Sequence, residues 1–307
     1  MDETSPRGCG SLIKRPYTAL CDLDAVWGVA VASAAGGAAL ASMILALVLL
    51  CRLRKIMQDH SRVAPLLLLL AAVIGLCGLS IAFLIERNEP LCIARRAFWG
   101  VLSSLSFACL VAQCVRLHRL ARGARSPSGG ALVGLAVALA VLDPEWMTLT
   151  EMPQGLEACQ YKPLDLTVAC TYVLVLLLSA LVGAAYGLCR GQPQLRRSAV
   201  WLLLTCLASA LLWAAWLTFF LYGSAELGLS SIWDDRAQAV VLVAQSWLLL
   251  LLHAAPEAHA TLQSPLRIRE ATIEEGIPLP HLTVSQGVPI LHSTSGTVLS
   301  IYRFDLL

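Results

Sequence analysis

Seven stretches without a single charged side chain constrain this chain more than anything else in it. They run Ala25–Cys51, Val63–Ile85, Ala97–Val115, Ser126–Leu142, Leu166–Cys189, Ser198–Ala225 and Ala237–Pro256. A helix needs about 20 apolar residues to cross the hydrocarbon core of a bilayer, and each run is near or above that length. The runs are continuously apolar, whereas the strands of a membrane barrel alternate apolar and polar residues. Seven transmembrane helices are therefore expected, with connectors short enough to make successive helices antiparallel neighbours. Composition agrees: 58% of the 307 residues are hydrophobic and 14% are charged, and mean hydropathy is +0.73. A soluble domain carries about 25% charge. Lys and Arg number 22 against 20 Asp and Glu, which leaves no cationic excess for binding nucleic acid.

Basic residues set the expected topology. The connectors after the first, third and fifth runs hold Arg52, Arg54, Lys55, Arg62, Arg116, Arg119, Arg122, Arg125, Arg190, Arg196 and Arg197. Those after the second, fourth and sixth hold only Arg87, Arg95, Arg96, Lys162 and Arg236. The richer side is expected to be cytoplasmic, so an odd number of spans puts the N-terminus outside and the C-terminus inside. Three regions follow: an extracellular N-terminal tail over 1–24, the helix bundle over 25–256, and a polar cytoplasmic tail over 257–307 that is expected to be disordered. The first 24 residues lack the apolar core of a signal peptide. With no large extracellular domain expected, recognition of any ligand falls to the bundle and its loops.

This topology sorts the cysteines by compartment. Cys9, Cys21, Cys92 and Cys159 fall outside, where disulfides persist. A Cys92–Cys159 bridge would tie the loop before the fifth span across the bundle mouth; Cys9 with Cys21 is the weaker pairing. Cys51 and Cys189 lie at cytoplasmic span ends and are open to palmitoylation, although buried or idle thiols are the expectation there.

Enzyme and transport chemistry find little support. Lys14, Lys55 and Lys162, the only lysines, lie outside the runs, which excludes a retinal Schiff base. His253 and His259 are six residues apart and so lie on different helix faces, giving no metal site. The runs also lack the ionisable residues that line proton and ion paths. No catalytic residue, metal or cofactor is expected. Asp143 and Glu145 flank Pro144 at the end of the fourth run, and would either line an extracellular pocket or snorkel to the interface. Trp213 and Trp216, three apart, share a helix face, so one could act as a bulky rotamer at the bundle centre. Trp233-Asp234-Asp235 suits an interfacial anchor followed by an acidic helix start; with Glu145, Trp233 and Asp234 are the pocket candidates.

Several motifs together resemble a known family. Leu20-Cys21-Asp22-Leu23-Asp24-Ala25-Val26-Trp27-Gly28, Cys92-Ile93-Ala94-Arg95-Arg96-Ala97-Phe98-Trp99-Gly100, Glu145-Trp146, Trp233-Asp234-Asp235 and Ala255-Pro256-Glu257 resemble the retinoic-acid-inducible orphan receptors, group 5 of the class C G-protein-coupled receptors. Arg269-Glu270-Ala271-Thr272-Ile273-Glu274-Glu275 is most similar to that family's member B. The resemblance implies an all-α seven-helix bundle of the class C type, residence at the plasma membrane and in vesicles, and no established ligand. Helix four looks several residues shorter than in the family, and the tail is short beside those of members B and C. Leu212-Trp213-Ala214 further resembles the centre of helix six in metabotropic glutamate receptors, where a tryptophan changes rotamer on activation. Those receptors close their cytoplasmic side with a lysine–glutamate pair, and the corresponding positions here are Gln113 and Ser198. Neither is charged, which implies a missing lock and ligand-independent activity. The implied partners are a heterotrimeric G protein or other cytoplasmic signalling proteins, engaged through Arg116, Arg119, Arg196 and Arg197, and a second copy in a homo-oligomer. The competing reading is a membrane adaptor whose tail recruits signalling or trafficking proteins.

Overall fold

The computed structural model describes residues 9, 17, 21–22, 26–53, 60–85, 89–142, 163–190, 193–220 and 231–263. Among these, the regular structure is helical. The helices are α1 (Val26–Leu53), α2 (His60–Leu84), α3 (Glu89–Ala121), α4 (Gly129–Val141), α5 (Pro163–Arg190), α6 (Pro193–Thr218) and α7, which starts as Ser231–Leu248. After a π-helical turn over Leu249–Ala254, α7 continues to Gln263. Six of the seven are long and apolar enough to span a bilayer. At 13 residues, α4 rises only ~20 Å, and the chain beyond Leu142 on that side lies outside the described residues.

Every apolar run became a helix, and every helix but α4 overruns its charge-free limits, α3 and α7 with the most consequence. Expected to begin at Ala97, α3 begins at Glu89, so Arg95 and Arg96 are not loop charges; both are buried inside the bundle. Past the expected end at Pro256, α7 continues for seven residues, so the tail boundary at 257 falls inside a helix. In both places the charge that interrupts the run is folded inward.

At the centre of the bundle, α3 packs against α2, α4, α5 and α6. On the other side, α7 packs against α1, α2 and α6. Where α3 meets α5 the backbones approach closely: a Cβ on Gly183 would stand 2.9 Å from Cys114 Cβ. Small residues at such crossings let helices gain van der Waals contact where lipid offers no hydrophobic drive. Hydrogen bonds supplement them. Ser80 Oγ donates to the Ala239 carbonyl at 2.9 Å and Gln245 Nε2 donates to Ser209 Oγ at 2.9 Å, joining α7 to α2 and α6. The outward side chains, including Leu47, Val141, Leu178 and Leu211, are apolar and exposed, as contact with hydrocarbon requires.

Local signals end α3 and start α4. Gly123 takes φ +71°, a conformation that favours glycine, and lets the Ala124 N–H reach back to the Arg119 carbonyl. Five residues on, Ser128 caps α4 by accepting from the Ala131 N–H.

Candidate functional site

At the end of the bundle where α3 terminates, three helices meet at one carboxylate. Arg116 Nη2 lies 2.6 Å from Glu257 Oε1, with both side chains buried. Ser198 Oγ of α6 donates to the other carboxylate oxygen at 3.0 Å. The carboxylate thus joins α3, α6 and α7. Two charges taken out of water are costly unless paired, and removing one partner strands the other. Arg116 reaches this point because α3 runs on to Ala121. Glu257 reaches it because α7 does not stop at Pro256.

The π-turn positions Glu257. Proline has no N–H, and its ring clashes with the carbonyl four residues earlier in a regular α-helix. Immediately before Pro256 the helix widens, and the Ala255 N–H donates to the Leu250 carbonyl, five residues back. The wider turn adds one residue to the register and sets which way Glu257 faces. His253 lies one turn before Glu257, buried.

This arrangement corrects two expectations. Arg116, read as part of an exposed coupling face, is buried and paired; Arg119, Arg196 and Arg197 are exposed. Gln113 and Ser198 are uncharged, as read, but the end of the bundle is not without an ion pair. The acid comes from α7, beyond the limit at which counting charge-free residues had closed the bundle. Gln113 is buried one turn before Arg116 on α3 and its side-chain amide makes no hydrogen bond. Glu257 is the residue that sequence reasoning passed over, although it stood in the family-like Ala-Pro-Glu motif.

About 22 Å along α6 from Ser198, Trp213 lies in an aromatic cluster. Its ring centroid is 5.7 Å from Trp99, 5.6 Å from Trp216 and 5.8 Å from Phe107. Trp216 also meets Trp99 at 5.9 Å and Phe220 at 5.7 Å. Tilted and edge-on geometries of this kind add about 0.5–1.5 kcal/mol per pair beyond burial. Trp213 and Trp216 face the interior rather than lipid. The space beside them, lined in part by Ser103, Gln238 and Gln245, is about 10 Å³, so rotation of Trp213 requires α3 or α7 to give way.

The opposite end is held by Arg95. Its guanidinium donates to the carbonyls of Ala82 and Ile85, where α2 ends and carbonyls lack helical partners. It also lies 3.5 Å from Asp235 of α7 and 5.2 Å from the centre of the Phe83 ring. Arg236 sits over the Trp27 ring of α1 at 4.5 Å. Of the residues expected here, Cys9 and Cys21 form a disulfide. Cys92 is disulfide-bonded. Cys159 and Glu145 lie outside the described residues, as do the side chains of Trp233 and Asp234 in the first turn of α7. Cys51 and Cys189, expected to be buried or idle, are exposed free thiols.

The seven-helix pattern has known counterparts. A family model described as "7 transmembrane sweet-taste receptor of 3 GCPR" matches residues 21–257. The chain belongs to this class C receptor family. Its relatives include mouse G-protein coupled receptor family C group 5 member B, 38% identical over 271 residues, covering 86% of this chain and 66% of the relative. Human group 5 member C is 29% identical over 282 residues, covering 85% and 64%. Human retinoic acid-induced protein 3 is 29% identical over 272 residues, covering 84% and 74%. The resemblance read from the motifs is borne out. The chain spans about two thirds of the length of the group 5 relatives B and C. Membership of a receptor family makes this a multi-pass membrane protein and does not favour the adaptor reading.

Proposed function

We propose that the protein is an orphan class C receptor of the plasma membrane, also resident in vesicles, whose bundle passes a rearrangement of α6 to a heterotrimeric G protein or another cytoplasmic signalling partner. The N-terminus faces outside, so the Arg116–Glu257 end faces the cytoplasm. The observation that carries the reading is the shared carboxylate of Glu257: α3 and α6 both hold it, and α6 cannot swing outward without losing the Ser198 contact. In this scheme Trp213 is the upper element of the switch, and Ser198 the lower. The resting bundle is held closed by an ion pair, though not the one whose absence Gln113 and Ser198 implied. Arg119, Arg196 and Arg197 supply the exposed basic face for the partner. Cys92 pairs with Cys159 in this scheme; every other cysteine stands outside a disulfide or is committed to Cys9–Cys21.

Glu257→Gln tests the reading. It keeps the shape, removes the charge and weakens both contacts. Basal signalling at matched surface expression is expected to rise several-fold, and Arg116→Gln should act in the same direction. Unchanged basal signalling in both variants would reject the role of the pair.

A further inference from the structure

On its outer face, close to the Glu257 junction, α6 carries an open groove of about 400 Å³ lined by Arg196, Arg197, Val200, Trp201 and Leu204. We infer that this groove is a binding site for one anionic phospholipid. The five residues stand at spacings of one, four, five and eight, which places them on one stripe of the helix. The stripe spans about 12 Å from the arginines to Leu204. Two exposed guanidiniums sit at one end, and an apolar floor runs from them towards the middle of the helix.

Charge and polarity select the occupant. A small soluble anion would satisfy the arginines but leave Val200 and Leu204, 37% and 44% exposed, uncovered. A zwitterionic lipid would cover the floor but bring no net charge to two guanidiniums. A helix from a second copy would need an acid opposite the arginines. Among the described residues the acid at this end of the bundle is Glu257, already engaged by Arg116 and Ser198. An anionic headgroup with an acyl chain meets both requirements: its phosphate forms charge-assisted hydrogen bonds to the guanidiniums, and its chain lies along Val200, Trp201 and Leu204. Ser198 follows Arg197 directly, so the bound headgroup sits beside the contact that fastens α6 to Glu257 and holds that helix end in place. Assigning the lipid to the cytoplasmic leaflet rests on the proposed orientation; binding itself does not.

The test is native mass spectrometry of the full chain in neutral detergent micelles, titrated with dioleoylphosphatidylserine or, for comparison, dioleoylphosphatidylcholine. Phosphatidylserine should bind at least tenfold more tightly. Each basic residue near a membrane surface contributes about fivefold to binding an anionic lipid, so Arg196→Gln with Arg197→Gln should weaken it about thirty-fold. Replacing both by lysine should restore most of the binding and show that the glutamine variant lost charge rather than fold. Arg122→Gln with Arg125→Gln removes the same charge from exposed positions outside the groove at the same end, and should change binding less than twofold. Glycerophosphoserine, the headgroup without acyl chains, should fail to compete at equal concentration. Wild-type binding in the Arg196/Arg197 glutamine variant would overturn the site. An equal loss in the Arg122/Arg125 variant would overturn it too, by showing attraction to net charge alone. Equal competition by glycerophosphoserine would reduce it to an anion site and overturn the lipid assignment.

Discussion

Arg116 and Glu257 depend on each other more than either contributes to stability alone. A buried ion pair offsets its own desolvation cost only while both members remain, and loss of one typically costs about 3–5 kcal/mol. Arg116→Gln removes the guanidinium that Glu257 Oε1 meets at 2.6 Å; Glu257→Gln removes the carboxylate charge from the same contact. The double variant leaves two neutral amides that can hydrogen-bond to each other. Thermal unfolding in micelles should therefore show each single variant less stable than the double, an interaction that appears only when neighbours are changed together. Strict additivity of the two losses would mean that the contact contributes no coupling. The same logic explains why the residues were hard to find: a lone Arg and a lone Glu 141 positions apart carry no local sign that they meet.

Among the elements, the helices were legible because an uninterrupted apolar run has few other folds open to it. Their ends were not. Charge as the end of a span holds to within a turn for Arg52, exposed in the last turn of α1, but fails for Arg95, Arg116 and Glu257, whose partners belong to other helices or to the end of another helix. The rule tests hydropathy along one segment, whereas these charges are tolerated through contacts that only the assembled bundle supplies. The end of α7 was obscured a second time by Pro256, which reads as a helix stop but is accommodated by the π-turn. Such turns are often found at functional sites, and here the turn sets the direction of Glu257. With Pro256→Ala the N–H returns and the ring clash disappears, so the segment can relax to a regular α-helix. Removing one residue of register rotates Glu257 by about 100° relative to the helix before it. Basal signalling should then rise towards the level of Glu257→Gln, and the non-additivity between Arg116 and Glu257 should vanish. Wild-type signalling with that coupling intact would show that the π-turn does not hold the register.

For the whole molecule, one end of the bundle carries the ion pair, the α6 groove and most of the exposed arginines, and the other carries Arg95, Asp235 and the disulfide cysteines. The proposed scheme needs the first end in the cytoplasm. Moving Arg95 and Arg96 from a loop into α3 strengthens the charge bias that sets this orientation, because two of the five basic residues counted on the outer side are then buried in the bundle rather than free in a connector. Cys51 and Cys189 offer a direct check. Both are exposed, both stand near the C-terminal ends of odd-numbered helices, and the other described cysteines outside disulfides, Cys77, Cys109, Cys114, Cys170 and Cys206, are buried. In an alternating bundle the ends of α1 and α5 face the same side. After hydroxylamine to release any acyl group, a membrane-impermeant maleimide should leave the protein unlabelled on intact cells and label it once the membrane is permeabilised. Cys51→Ser with Cys189→Ser should abolish the second signal. Labelling of intact cells that disappears in this double variant would place the Arg116–Glu257 junction outside, where no G protein could reach it, and the receptor scheme would have to be inverted.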